Sequence, residues 1–128
     1  MQVTAVDRDP DRQPDAPGLN KVKADLEAGR PWPLGERRFD LIVVTNYLYR
    51  PILPDIVGAL APGGLLLYET FALGNERFGK PSNPDFLLRP GELAAAVAGR
   101  LEILGFEEVE LGAPRAAVVQ RIAARAPL

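Results

Sequence analysis

The sequence contains neither cysteine nor histidine. Without cysteine there is no disulfide, no thiolate nucleophile and no structural zinc site. Without histidine, every mechanism that turns on an imidazole is excluded. Chemistry is left to carboxylates, Tyr, Ser, Thr, Lys, Arg, backbone groups or a bound cofactor. A charge excess is missing too: 15 Lys and Arg stand against 17 Asp and Glu, a net charge of -2. So balanced a surface argues against a nucleic-acid or anionic-membrane binder, which carries a basic patch. The longest apolar stretches, around Leu41 to Val44 and Leu65 to Leu67, fall far short of the roughly 20 residues that span a bilayer. Met1 to Asp9 carries Asp7 and Asp9 and no apolar core, unlike a signal peptide. The default location is the cytoplasm. The 128 residues, 47% hydrophobic and 25% charged, have the balance of one small soluble globular domain.

What is present is an alternation of apolar runs and breaks. Gln2 to Val6 (QVTAV) is a short β-branched run ending at Asp7, which predicts a strand. Asp9 to Gly18 holds Pro10, Pro14 and Pro17 and predicts a loop. Asn20 to Asp25 predicts a short edge strand, and Leu26 to Arg38 an irregular segment. Phe39 to Val44 (FDLIVV) has no polar break after Asp40, which suits a parallel strand covered on both faces. Leu53 to Leu60 predicts a helix with Ile56, Val57 and Leu60 on one face and Pro54 in its first turn. Pro62-Gly63-Gly64 reads as a turn before a second buried strand, Leu65 to Thr70. Strand, helix, turn and strand make a βαβ crossover. Phe71 to Leu88 is a loop long enough to suggest function. Pro90 to Gly99 predicts a helix. Ile103 to Leu111 and Ala116 to Ala123 predict an antiparallel hairpin across Gly112-Ala113-Pro114.

An open α/β sheet binds ligands at the carboxyl ends of its strands. Those positions hold Asp7-Arg8, Asp25-Leu26, Thr45-Asn46-Tyr47 and Glu69-Thr70-Phe71. Asp7 can accept two hydrogen bonds from a ribose diol, or be a solvated acidic turn. Asp25 can accept from an exocyclic amine, or cap a turn. Asn46 offers a donor and an acceptor, and Tyr47 a ring face and a hydroxyl; together they also make an ordinary polar turn. Thr45-Asn46 leaves no aspartate for a phospho-receiver site, and Leu48 after Tyr47 rules out an Asn-Pro-Pro-Tyr loop.

FDLIVVTNYLYRP, a helix, LAPGGLLLYETF, a further helix and a closing hairpin together resemble the later part of a class I S-adenosylmethionine-dependent methyltransferase. QVTAVD is similar to the second strand of that fold with its acidic end, and KADL to its adenine-contacting stretch. ETFALGNERFGKPSNPDFLLRPGEL is similar to bacterial methyltransferases near the tellurite-resistance group. The resemblance covers nearly the whole chain. It implies a Rossmann-like α/β sheet, mostly parallel with a C-terminal antiparallel hairpin. It implies S-adenosylmethionine as cofactor, with Asp7 on the ribose, Arg8 on the adenine edge, and Asp25 and Leu26 on the adenine. Asn46 and Tyr47 then border the methyl-transfer site. Glu69, Thr70, Phe71 and the loop containing Arg77 face a small-molecule acceptor. No metal is implied.

The family opens with a strand and a glycine-rich turn whose backbone N–H groups approach the methionine part of the cofactor, which only glycine permits. No Gly-x-Gly-x-Gly run exists here. The chain is expected to be a single truncated domain, 1–128, lacking the first strand and helix, with cofactor binding weakened or lost. A first strand missing from the sheet centre leaves two apolar edges open. Either Gln2–Val6 pairs directly with Phe39–Val44, or two chains associate through those edges as a homodimer.

Methyl transfer from a sulfonium needs alignment more than proton relay, so the lack of histidine is compatible with it. A hydroxyl or ammonium acceptor needs a base, for which Glu69 and Tyr47 are the candidates. The alternatives are a non-catalytic remnant acting as a dimerising or binding module, and a nicotinamide dinucleotide domain. Against the latter stand the Pro-Gly-Gly turn and the terminal hairpin.

Overall fold

The computed structural model describes Val3–Asp7, Leu19–Lys23, 26–27 and 32–128. The chain divides into two compact units, Met1–Gly35 and Glu36–Leu128. In the first, β1 (Val3–Asp7) pairs in parallel with β2 (Leu19–Lys23), from Val3 opposite Leu19 to Asp7 opposite Lys23. The expected loop from Asp9 to Gly18 lies outside the described residues.

The second unit is built on a four-stranded sheet. Its strands are β3 (Phe39–Thr45), β4 (Leu60–Phe71), β5 (Glu102–Leu111) and β6 (Ala117–Arg125), in the order β3-β4-β6-β5. β3 and β4 are parallel, and β6 is antiparallel to both β4 and β5. A parallel pair needs a crossover, and α1 (Leu53–Gly58) lies in it. α2 (Glu92–Val97) lies between β4 and β5. The βαβ unit and the closing hairpin stand where the apolar runs place them. Among the described residues β1 pairs with β2 and β3 with β4, in two separate sheets.

Period-two alternation divides the sheet into two unlike faces. Leu66, Tyr68 and Thr70 of β4 and Gln120, Ile122 and Ala124 of β6 are buried, together with Ile56 and Val57 of α1 and Leu93 and Val97 of α2. The other face is open: Leu41, Val43 and Leu67 are 43%, 58% and 38% exposed. This corrects the expectation that Phe39–Val44 is covered on both faces. An unbroken apolar run carries no sign of which face has a neighbour.

Two boundaries also move. Leu60 does not close the first helix; it begins β4 and pairs with Phe39. Pro62-Gly63-Gly64 does not precede the strand but lies within it, as a bulge. The register jumps from Phe39–Leu60 to Leu41–Leu65, setting 61–64 against Asp40 alone. Gly63 has φ 73°, and a Cβ on Gly64 would stand 2.8 Å from the Phe39 carbonyl oxygen. Only glycine fits such an approach. The bulge is tied to the C-terminus by Gly63 N–H to Pro127 C=O at 3.0 Å and Ala126 N–H to Gly64 C=O at 2.8 Å.

The segment expected as a long loop is ordered by short 3-10 turns at Asn75–Arg77 and Pro84–Phe86 and by a bridge between Ala72 and Leu88. Two buried amides tie the segment after β4 to β6. Asn75 Nδ2 donates to Pro81 C=O at 3.0 Å, and Asn75 Oδ1 accepts from Val118 N–H at 3.1 Å. Gln120 Nε2 donates to Arg89 C=O at 2.6 Å, and Gln120 Oε1 accepts from Leu93 N–H at 3.2 Å, fixing the start of α2. No helix among the described residues is long and apolar enough to cross a membrane.

Candidate functional site

β3 and β4 end side by side, with Thr45 opposite Glu69. One residue on, Asn46 N–H donates to Glu69 C=O at 3.0 Å. Asn46 then takes φ 55°, the left-handed region, alone among the described non-glycine residues. A short polar side chain tolerates that conformation best. A non-glycine residue held there marks a place where the fold imposes the geometry. The reversal leaves the Asn46 amide exposed at the carboxyl edge of the parallel pair.

The next residue is held from below. The buried Tyr68 hydroxyl donates to Tyr47 C=O at 2.6 Å. Burial pushes the Tyr68 hydroxyl well above its ordinary pKa. It therefore stays a donor and positions the Tyr47 backbone. Removing only this hydroxyl, by Tyr68→Phe, is expected to cost about 1 kcal/mol in a urea titration. Amide NMR shifts at Asn46 and Tyr47 should move with it; unchanged shifts would show that the hydroxyl holds nothing.

A second tie starts at the 3-10 turn Arg50–Ile52. Arg50 Nε and Nη2 donate to the Glu92 carboxylate at 2.6 and 2.9 Å. Its Nη2 and Nη1 also reach the carbonyls of Leu87 and Asp85 at 2.9 and 3.0 Å. Glu92 Oε1 further accepts from Arg89 N–H at 2.8 Å. The bond to Arg50 holds the Glu92 carboxyl below its usual pKa, and the same bond raises that of Arg50. This side chain locks the turn after β3 to the segment after β4 and to the start of α2.

The structure thus brings Asn46, Tyr47 and the Glu69–Phe71 strand end together. It sends Glu69 and Thr70 to opposite faces. The Glu69 carboxylate lies on the open face, bonded to Arg121 Nε, and Glu107 holds Arg121 Nη1 at 3.1 Å. These bonds, Glu69 first, raise the Arg121 pKa. Thr70 is 2% exposed on the covered face. Phe71 is half-buried, opposite Val119. Arg77 is exposed, paired with Glu110 at 2.6 Å and stacked on Phe78 at 5.0 Å. In the first unit, Asp7 ends β1, and its side chain lies outside the described residues, as do Arg8 and Asp25. Leu26 is half-buried in a turn.

An open depression of about 570 Å³ lies on the exposed sheet face, lined by Val43, Leu67, Glu69, Glu107, Arg121 and Ala123 among others. Among the described residues no cluster of acidic side chains could hold a metal ion. Arg50, Asn75 and Glu92 lie within the stretches that carry the resemblance, but nothing in the sequence marks the contacts that they and Gln120 make. Arg50 and Glu92 are 42 residues apart, and no local pattern links them.

No protein-family model and no curated protein matches the chain. Solved structures do. The chain is 17% identical to the N-methyltransferase NodS from Bradyrhizobium japonicum WM9, covering 99% of itself and 74% of NodS at a TM-score of 0.67. NodS has also been solved with S-adenosyl-L-homocysteine. A SAM-dependent methyltransferase from Methanosarcina mazei is 16% identical, with 99% and 82% covered and a TM-score of 0.68. TehB from Haemophilus influenzae is 18% identical at a TM-score of 0.66; 98% of this chain is covered, and it spans 50% of TehB. The fold is that of the class I S-adenosylmethionine-dependent methyltransferases.

Proposed function

We propose that this chain acts in methyl transfer from S-adenosylmethionine to a small-molecule acceptor in the cytoplasm, with no nucleic-acid or membrane partner. The observation that carries the reading is the side-by-side ending of β3 and β4 at the left-handed Asn46, in a fold shared with proteins that use this donor. Ligands of open α/β sheets lie at such strand ends. When bound, the cofactor supplies an activated methyl group. Asp7, Arg8, Asp25 and Leu26 of the first unit are the candidates for its adenosine part, and Asn46 of the second, which offers both a donor and an acceptor, is the candidate at the strand ends. The two carboxylates are acceptors, which suits the hydroxyls of a diol and the N–H groups of an aromatic amine. The described residues include no glycine cradle for the methionine part.

Tyr47 would align the acceptor. Glu69 would serve as base, with one carboxylate oxygen bonded to the Arg121 guanidinium. Phe71 and Arg77 would face the acceptor from the following segment, with Thr70 packing beneath them.

Calorimetric titration with S-adenosylhomocysteine tests this. Binding with a Kd of roughly 0.1–1 mM, about −4 to −5.5 kcal/mol, is expected, and it should be lost in Asp7→Ala. Submicromolar binding would show that the glycine cradle is dispensable. No heat at millimolar ligand would favour the second reading, a non-catalytic module that associates through strand edges. β3 forms one edge of the four-stranded sheet, and an edge strand is a template for pairing.

A further inference from the structure

The open sheet face carries a pattern that its strand edges do not. Three cross-strand rows traverse it. The central row is Val43, Leu67, Ala123 and Gly105. On one side runs Thr45, Glu69, Arg121 and Glu107, and on the other Leu41, Leu65, Arg125 and Glu102. In the central row the large side chains stand on β3 and β4 and the small ones on β6 and β5, while β6 and β5 carry long charged side chains in the two flanking rows. We infer that this face packs on the same face of a second copy of the chain, about a twofold axis running along the strands between β4 and β6.

Such an axis lays β3 over the partner's β5 and β4 over the partner's β6, and keeps every row facing its own kind. Val43 then fills the space over Gly105, where a Cβ would meet nothing within 4 Å, and Leu67 covers Ala123. Glu69 faces Arg121, and Glu107 faces the neutral Thr45, so no like charges oppose. Leu65 lies on the aliphatic stem of Arg125. Twofold contacts require this self-complementarity. Exposed apolar patches of this kind mark association sites. Four strands about 4.8 Å apart over three or four rows give a face of roughly 400 Å², well under the roughly 800 Å² per partner of a standard interface. The dimer is therefore weak and forms only at high concentration. The inference is independent of methyl transfer.

Sedimentation velocity from micromolar to millimolar chain tests it. The parent is expected to pass from monomer to dimer across that range. Gly105→Arg, whose side chain projects into empty space in the single chain, should weaken dimerisation at least tenfold with an unchanged circular dichroism spectrum. Arg121→Glu should do the same, and Glu69→Arg combined with Arg121→Glu should restore the dimer. A parent that stays monomeric at millimolar concentration overturns the inference. So does a dimer indifferent to Gly105→Arg, which would locate association at the β3 edge instead.

Discussion

Asn75→Ala is expected to destabilise the protein by roughly 2–3 kcal/mol, although Asn75 lies in a segment without long regular structure. The side chain is 3% exposed and makes one hydrogen bond as donor, to Pro81, and one as acceptor, from Val118. Alanine leaves the half-buried Pro81 carbonyl and Val118 N–H without their partner at once, and each unpaired group costs about 1 kcal/mol or more. Aspartate is no rescue. It keeps the acceptor for Val118 but turns the donor facing Pro81 into a second acceptor, and it buries a charge. Urea denaturation of the two variants measures the loss. Hydrogen exchange should speed up from Ala72 to Leu88 before the hairpin, because Asn75 ties that segment to β6. A loss under about 0.5 kcal/mol would mean that water takes over both partners.

Arg50→Ala should cost about 2 kcal/mol. Breaking a fully buried pair costs about 3–5 kcal/mol, but the Arg50 side chain is 35% exposed and that of Glu92 19%, so solvent screening reduces the figure. The lost carbonyl bonds to Asp85 and Leu87 act in the other direction. The pair also leaves a pH signature. Glu92 is held below its ordinary value of 4.5 in the fold. Its contribution is therefore complete above that value and disappears as pH falls through the lowered one. Stability measured from pH 6 to pH 3 should fall less steeply in Glu92→Gln than in the parent. Equal slopes would show that other carboxylates dominate acid unfolding.

Both effects arise from contacts that local pattern does not encode. Leu41 to Val44 and Leu65 to Leu67 announce strands because β-branched and leucine side chains suit a pleated, buried surface. The short link 112–116 announces a hairpin because an antiparallel pair needs only a few residues to turn. The strand ends, and with them Asn46, Tyr47 and Glu69, were therefore legible as candidates. Leu60 misled because an apolar residue one turn past Ile56 fits a helix face as well as a strand start. The glycines misled because Pro-Gly-Gly specifies a reversal of φ without saying whether a turn or a bulge contains it. The opposite fates of Glu69 and Thr70 follow from the alternation of strand side chains. Which of the two is buried depends on where α1 and α2 pack.

The sequence alone determined the kind of elements, their order and the excluded chemistries, since these depend on residue type and on spacings of a few residues. It determined that these 128 residues supply no imidazole and no thiol. Only the tertiary structure decided which sheet face is covered, that Arg50 is committed to Glu92 and Glu69 to Arg121, and that Asn46 stands in the left-handed region beside Glu69. These are relations between residues far apart in the chain. Their energy exists only once the chain has closed the loops that bring them within hydrogen-bond reach.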